Sequence, residues 1–233
     1  MIFVTGDTHG MLDDLMEKRK PQNGHSLTDK DKMIVCGDFG FVYKYNRING
    51  RYPDDDNLDK LEAGYPCELL FVSGNQENFD RLYEFPDEER YGGIVKRIRN
   101  NIFLLKRGEV YEIEGKKFFT FGGAYSVDKF LREDGYTWWK QELPSPEEYR
   151  HASDSIKKNN NEFDCIITHT CPQRIIHMMG KKPDAHDAEL TGFLDWIFTE
   201  VKFRKWFFGH WHIDESFCDG KAVACYENVY SIE

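Results

Sequence analysis

Residues 2–9 read IFVTGDTH, and this arrangement recurs along the chain. A short apolar run of the kind that forms a buried β-strand ends in glycine and is followed by side chains that can bind metal ions. Asp7 and His9 are two residues apart, so in an extended segment they lie on the same side. The stretch therefore predicts a strand with metal ligands at its carboxyl end.

Four further apolar runs are also followed by side chains that can bind metal ions, three of them after an intervening glycine. Asp38 follows residues 33–36, Asn75 follows 69–72, His169 follows 165–168, and His210 and His212 follow 206–208. Open α/β folds bind ligands at the carboxyl ends of their strands. Carboxylate, imidazole and amide ligands suit Mn, Fe, Zn or Ni, and the absence of cysteine from the set argues against a structural zinc site. The sequence thus predicts one metal centre built from Asp7, His9, Asp38, Asn75, His169, His210 and His212.

Each of these motifs alone is weak evidence for a metal site. Gly-Asp and Gly-Asn most often form turns, and a lone buried histidine is more often a hydrogen-bonded core residue than a ligand. Five motifs in series, each after an apolar run, favour the metal centre over five unrelated turns.

The remaining pattern indicates a sheet-rich α/β fold. Residues 102–121 are predicted to form a β-meander, and residues 44–57 an exposed loop. Ser145 is a predicted helix N-cap, because Pro146 and Glu148 complete a capping box. Residues 190–201 have the spacing of an amphipathic helix, and residues 216–225 of a hairpin.

Composition limits the classes of protein to consider. The 233 residues are interpreted as a single domain, 1–233, with no apolar run near the ~20 residues that span a bilayer. The amino terminus lacks a basic region, which argues against a signal peptide. Six scattered cysteines without a CxxC pair indicate reduced thiols and a cytoplasmic location. The net charge of −10 makes nucleic acid an improbable nonspecific partner.

In this order the ligand motifs resemble the calcineurin-like metallophosphoesterases. That family's signature is Asp-x-His, Gly-Asp, Gly-Asn-His-Glu/Asp, a later His, and Gly-His-x-His, and the resemblance extends from residue 5 to residue 212. Residues 122–124, 138–139 and 144–145 are also similar to bacterial and phage members of unassigned role. The resemblance implies an α/β fold of two facing mixed β-sheets flanked by helices.

The resemblance also implies a dinuclear-metal-dependent phosphoesterase that hydrolyses a phosphomonoester or a phosphodiester of a small phosphorylated substrate. Two divalent ions, with Mn favoured over Fe, Zn or Ni, would share a water whose lowered pKa yields the attacking hydroxide. The implied ligands are Asp7, His9 and His212 for the first ion and Asn75, His169 and His210 for the second, with Asp38 as the bridge. The implied catalytic residues are Asp38, Asn75, Gln76 and His169.

Two departures from the family pattern leave an alternative open. Gln76 stands where the family commonly has the histidine that assists the leaving group, and glutamine cannot supply a proton near pH 7. The chain also lacks the Asp-Arg pair of the protein-phosphatase branch after Asp38. The alternative is a weakened, metal-loaded protein that binds a phosphorylated ligand. A metal-dependent amidohydrolase is disfavoured, because that class begins with His-x-His. The substrate and the oligomeric state are left open by the sequence.

Overall fold

Every apolar run that precedes a predicted ligand forms a strand in the computed structural model, which describes residues 1–232. The strands are β1 (Ile2–Thr5), β2 (Lys32–Val35), β3 (Glu68–Val72), β4 (Asp87–Arg90), β5 (Gly93–Arg99), β6 (Ile102–Leu105), β7 (Val110–Ile113), β8 (Lys116–Phe121), β9 (Glu162–Thr168), β10 (Lys202–Phe208), β11 (Glu215–Phe217), β12 (Ala222–Ala224) and β13 (Tyr230–Ile232). The α-helices are α1 (Asp55–Gly64), α2 (Phe79–Glu84), α3 (Pro146–Lys158), α4 (Gln173–Met178) and α5 (Ala188–Glu200).

The strands form two mixed sheets. The first has seven strands in the order β13-β1-β2-β3-β6-β5-β4, and the second has six in the order β11-β12-β10-β9-β8-β7. Within the first sheet β1, β2, β3 and β6 are parallel, and within the second β8, β9, β10 and β12 are parallel. Each sheet therefore presents a row of strand carboxyl ends along one edge.

Three apolar layers hold the sheets and helices together. The middle layer lies between the sheets, where Val4 and Ile34 of the first pack with Ile167 of the second. The outer layers bury helices α1 and α2 against the first sheet and α3, α4 and α5 against the second. Strands covered on both faces explain the continuous apolar runs in the sequence. The predicted fold of two facing mixed sheets flanked by helices is confirmed.

The predicted meander over residues 102–121 is wrong in part. Strand β6 belongs to the first sheet, paired parallel with β3 and antiparallel with β5, whereas β7 and β8 form an antiparallel pair in the second. The chain passes from one sheet to the other at residues 106–109. Apolar alternation identifies strands but not their partners, so it could not reveal this crossing.

The predicted exposed loop over residues 44–57 is wrong at its end, because helix α1 begins at Asp55. Asp54 is buried and accepts hydrogen bonds from the backbone N–H groups of Tyr43 at 3.0 Å and Lys44 at 2.6 Å. A run of acids suits a helix amino terminus, where the backbone dipoles are positive. The run Asp54–Asp56 therefore begins a helix.

The other local predictions are confirmed. Ser145 forms both hydrogen bonds of a capping box with Glu148, and α3 follows. Strands β11 and β12 form the predicted hairpin, and α5 covers the predicted amphipathic segment. Among the described residues, no helix combines the length and the apolar content that crossing a bilayer requires.

Candidate metal centre

The ligand-type side chains from both sheets meet at the edge where β1, β2, β3, β9 and β10 end. Potential ligand atoms of Asp7, His9 and His212 lie within 4.8 Å of one another, as do those of Asp7, Asp38 and His169. Asp7 belongs to both groups and is fully buried. The geometry therefore brings together two adjoining groups of three ligands that share one carboxylate.

The first group is the more exposed one. The Nε2 atoms of His9 and His212 are 3.0 Å apart, and His212 Nε2 lies 3.6 Å from Asp7 Oδ2. The His212 ring stacks on Tyr226, with 4.8 Å between centroids. Two imidazole nitrogens and a carboxylate oxygen facing one another are a donor set that suits Mn, Fe or Zn.

His169 is the central imidazole of the second group and is fully buried. Its Nδ1 is 2.8 Å from the carbonyl oxygen of Cys36, so Nδ1 carries the hydrogen and Nε2 keeps its lone pair. That lone pair faces Asn75 Oδ1 at 3.0 Å and Asp38 Oδ1 at 3.3 Å. Metal-binding histidines are oriented in this way by a backbone carbonyl on the other ring nitrogen.

His210 joins this set through its ring and its backbone. Its ring packs edge-on against His169, with centroids 5.1 Å apart, and its backbone N–H donates to both carboxylate oxygens of Asp7. Burial lowers the pKa of His210 to about 3 and also lowers the pKa values of His169 and His212. All three imidazoles are therefore neutral at pH 7, as metal ligands must be. The ring of His210 belongs to neither group of close ligand atoms, so its role as a ligand stays a prediction.

The two buried carboxylates have opposite shifts. Burial and the charge of Asp38 raise the pKa of Asp7 well above its usual value. Burial also opposes ionisation of Asp38, but attraction to His169 and His9 when these rings are protonated, together with the hydrogen bond from the Gln76 backbone N–H, outweighs it and lowers the pKa of Asp38. Two carboxylates in one dry site repel each other unless positive charge is supplied. The residues present therefore fit divalent cations.

Four of the seven predicted ligands hold a left-handed backbone conformation. The φ angles are +48° at His9, +46° at Asp38, +66° at His210 and +51° at His212. Such angles cost free energy in non-glycine residues and concentrate at functional sites. The strain turns each side chain sharply at the end of its strand, which a regular extended backbone would not do.

The glycines of the motifs serve close approach. A Cβ at Gly74 would lie 2.0 Å from Asp38 Oδ1, although φ at Gly74 is not positive. A Cβ at Gly37 would lie 2.3 Å from His169 Nδ1, and there φ is +87°. The first glycine is thus needed for space alone, and the second for both space and conformation.

Two buried residues support the centre and were missed by sequence reasoning. Glu77 accepts hydrogen bonds from the backbone N–H groups of Phe39 and Gly74, both at 2.8 Å, and so joins the two turns. Arg19 donates to the carbonyl oxygens of Gly6 at 3.0 Å and Asp7 at 2.7 Å. Glu77 stands at the Glu/Asp position of the Gly-Asn-His-Glu/Asp motif, which is a signal that could have identified it, whereas Arg19 lies in a charged stretch that resembles an exposed surface.

Gln76 lies beside the centre and is half-buried, with its backbone N–H donating to Asp38 Oδ1 at 2.8 Å. Of the other four histidines, His177 is exposed on α4, and three make their contacts elsewhere. His25 contacts Asp31 and His151 contacts Glu109, while His186 stacks on Tyr125 and contacts Asp184. None of these three belongs to either ligand group among residues 1–232.

Comparison with known proteins identifies the family of this chain. The family model described as calcineurin-like phosphoesterase matches residues 1–214. The chain belongs to that family. That family is metal-dependent, and the two ligand groups described above supply candidate positions for the metal in this chain.

Curated relatives are distant. The lariat debranching enzyme of Gallus gallus is 23% identical over 78% of this chain and 34% of its own length. The lariat debranching enzyme of Drosophila pseudoobscura pseudoobscura is 24% identical over 98% of this chain and 44% of its own length. This calcineurin-like phosphoesterase therefore spans less than half the length of these curated relatives.

A solved structure shares the fold. A putative 5'-nucleotidase from Staphylococcus aureus, crystallised with alpha-ketoglutarate, superposes with a TM-score of 0.50 at 14% identity. The match covers all of this chain and 51% of that one. At such low identity the likeness shows the architecture alone.

Proposed function

We propose that this calcineurin-like phosphoesterase uses two divalent metal ions to hydrolyse a phosphomonoester or a phosphodiester. The observation that carries the proposal is the pair of ligand groups that share Asp7 at one edge of the two sheets. Bound together, two such ions lower the pKa of water and stabilise the negative charge that develops on phosphoryl oxygens. The experiments below use Mn²⁺ first, with Fe, Zn and Ni as alternatives.

The first ion would be held by Asp7, His9 and His212, and the second by Asn75, His169 and His210. Asp7 is the carboxylate that the two close ligand groups share, but the location of Asp38 between ligands of both ions supports its assignment as the bridge. Its Oδ1 lies 3.3 Å from His169 Nε2 on the side of the second ion, and its Oδ2 lies 3.8 Å from His9 Nδ1 on the side of the first. One carboxylate therefore faces ligands from both sets.

The chain's own residues would orient the substrate. A cavity of about 370 Å³ lies beside His210, with Tyr125, Trp211, Lys181 and Lys182 among its lining residues. Lys181 Nζ lies 4.5 Å from the centre of the Trp211 ring. Lysine side chains next to a metal centre offer positive charge to phosphate oxygens, and the aromatic rings offer flat apolar walls. Asp184 and Asp187 also line the cavity, so its charge is mixed, and its support for a small phosphorylated substrate rests on the position of the two lysines.

The alternative is a weakened hydrolase that chiefly binds a phosphorylated ligand. Gln76 supports it, because an amide donates hydrogen bonds but supplies no proton to a departing alkoxide. Both proposals keep the same metal centre and differ in turnover alone.

The six cysteines are free, which supports the proposed cytoplasmic location.

The test combines metal analysis with a substrate screen. Protein purified without chelator is analysed for metals, reloaded with Mn²⁺, and assayed on nitrophenyl phosphate and bis-nitrophenyl phosphate. Because the relatives are named as a putative 5'-nucleotidase and lariat debranching enzymes, a 5'-nucleotide and an RNA lariat are also assayed as substrates. The proposal expects two ions per chain and metal-dependent hydrolysis of at least one ester. Two ions with ligand binding but no turnover would favour the alternative, and no bound transition metal after Mn²⁺ incubation would refute both.

A further inference from the structure

The side-chain amide of Asn75 is held in one orientation. Its Oδ1 lies 3.0 Å from His169 Nε2, and its Nδ2 donates to Ser126 Oγ at 3.1 Å. Asn75 is buried, so solvent does not satisfy either end of the amide. An asparagine amide is nearly symmetric in shape, so hydrogen bonding decides which end faces a cation. The partner on the Nδ2 side therefore controls whether the oxygen can act as a ligand.

Ser126 is held by one carboxylate through both of its donors. The Ser126 hydroxyl donates to Glu142 Oε2 at 2.6 Å, and its backbone N–H donates to Glu142 Oε1 at 3.0 Å. Both residues are 1% exposed. A carboxylate only accepts hydrogen bonds, so the hydroxyl hydrogen of Ser126 points to Glu142 and only lone pairs remain for Asn75. Those lone pairs accept from the amide Nδ2, which leaves Oδ1 on the side of His169.

The segment that carries Ser126 and Glu142 is anchored against the ends of both sheets. The buried guanidinium of Arg107 donates to the carbonyl oxygens of Gly122, Gln141 and Glu142 at 2.8–2.9 Å. The backbone N–H of Gly123 donates to the Ser73 carbonyl at 2.7 Å. Ser126 follows strand β8 of the second sheet, while Asn75 follows β3 of the first. The hydrogen-bonded series Asn75–Ser126–Glu142, called the relay below, thus crosses from one sheet to the other. The segment 122–142 that carries Ser126 and Glu142 is fixed at both of its ends.

We propose that Ser126 and Glu142 are positioning residues that fix the Asn75 amide with its oxygen toward the second metal ion. The proposal rests on the proposed function, which assigns Asn75 to that ion. Partners that orient a ligand from behind change metal affinity by about 10–100-fold when they are lost. Loss of the relay is expected to weaken the second ion by this factor and to leave the first ion unchanged.

Glu142→Gln is the most informative variant. It nearly preserves the shape of the side chain but makes residue 142 the donor in its hydrogen bond with the Ser126 hydroxyl. The amide oxygen of Gln would accept from the Ser126 backbone N–H, so its NH₂ would donate to the Ser126 hydroxyl. The hydroxyl hydrogen would lose its acceptor on residue 142. Asn75 could accept it only by turning its oxygen toward Ser126 and its NH₂ toward the cation. Ser126→Ala removes the partner outright, and Ser126→Thr keeps the hydroxyl. Glu147→Gln is the matched control, because Glu147 is 73% exposed and contacts Arg150 alone among charged groups.

Mn²⁺ titration of the metal-free protein measures both affinities. Glu142→Gln and Ser126→Ala are expected to lose about 10–100-fold in affinity for the second ion alone, while Ser126→Thr and Glu147→Gln match the wild type. NMR of the Asn75 side-chain NH₂ in the metal-free protein gives a second readout, with protection from exchange expected in the wild type and Ser126→Thr and lost in Ser126→Ala. Wild-type affinities in Glu142→Gln, or an unprotected Asn75 amide in the wild type, would overturn the proposal. A wild-type protein that binds fewer than two ions but protects the Asn75 amide would refute the dinuclear function and leave the orientation of Asn75 intact.

Discussion

Asp38 Oδ1 accepts a hydrogen bond from the backbone N–H of Asn75 at 2.8 Å. The backbone N–H of Gln76 donates to the same oxygen, also at 2.8 Å. This carboxylate therefore closes the turn that carries Asn75, and its other oxygen is left on the side of His9. Asp38 acts both on the shape of the site and on its charge.

We expect Asp38→Asn to be the most damaging single ligand substitution. It removes a charge that faces both ligand sets. The amide oxygen can keep the two bonds from the backbone N–H groups of residues 75 and 76, but the NH₂ then replaces Oδ2 on the side of His9 and cannot bind a cation. Loss of both ions is expected, with a fall in kcat/KM of at least about 100-fold, the scale of one lost electrostatic stabiliser. His9→Ala should disturb chiefly one ion. Metal analysis and kinetics measure both, with exposed Asp29→Asn as the control. Normal metal content and turnover in Asp38→Asn would show that Asp38 is not the bridge.

Gly74→Ala is expected to damage the site through space alone. The new Cβ would lie 2.0 Å from Asp38 Oδ1, so the turn or the carboxylate must move. Overpacking of this kind costs about 1–3 kcal/mol of unfolding free energy. Gly64→Ala is the matched control, because its Cβ would meet only the flexible end of Met16 at 3.3 Å. Urea unfolding and metal content are measured for both, and equal behaviour of the two variants would contradict the close-approach role of Gly74.

Gln76→His tests the leaving-group hypothesis. An alkoxide leaving phosphorus needs a proton, whereas nitrophenolate is stable enough to leave with less help, and general acid catalysis is worth about 10²–10⁴-fold where it is needed. The substitution should therefore raise kcat/KM for an alkyl phosphate far more than for nitrophenyl phosphate, with unchanged metal content. The measurement is the ratio of His to Gln rates for each ester. Equal ratios for the two esters would show that residue 76 does not act as the general acid.

Asp187 predicts a pH dependence of stability. Burial, and then the charge of Asp184, raise the pKa of Asp187 to about 6. A carboxyl with a raised pKa stabilises the fold fully below its unfolded pKa of about 4, and this contribution is lost as pH rises through about 6. Asp187→Asn should therefore change the free energy of unfolding of the metal-free protein more favourably at pH 8 than at pH 4. The difference between the two pH values is expected to be about 1 kcal/mol after solvent screening. Urea unfolding in chelator at the two pH values measures this, and an identical difference at both would contradict it.

The sequence by itself determined the strands and the ligand types at their ends. Apolar runs such as residues 2–5 can be buried on both faces only inside a layered fold, and each is followed by an Asp, Asn or His in a fixed order. Because the carboxyl ends of parallel strands share an edge, the meeting of Asp7 with Asp38 could be expected from order alone, whereas the meeting of Asp7 with His169 depends on how the two sheets pack. The sequence likewise identified Gln76 as the unusual residue.

Only the tertiary structure decided which groups hold those ligands in place. Lys18 and Arg19 are adjacent and both basic, yet Lys18 is 75% exposed and Arg19 is 1% exposed with bonds to the turn after β1. Ser126 and Glu142 are ordinary loop residues until the two sheets bring them behind Asn75. The physical reason is that these contacts join segments far apart in the chain, often through backbone N–H and carbonyl groups that every residue carries. Side-chain identity cannot reveal such partners, because the packing of the two sheets selects them.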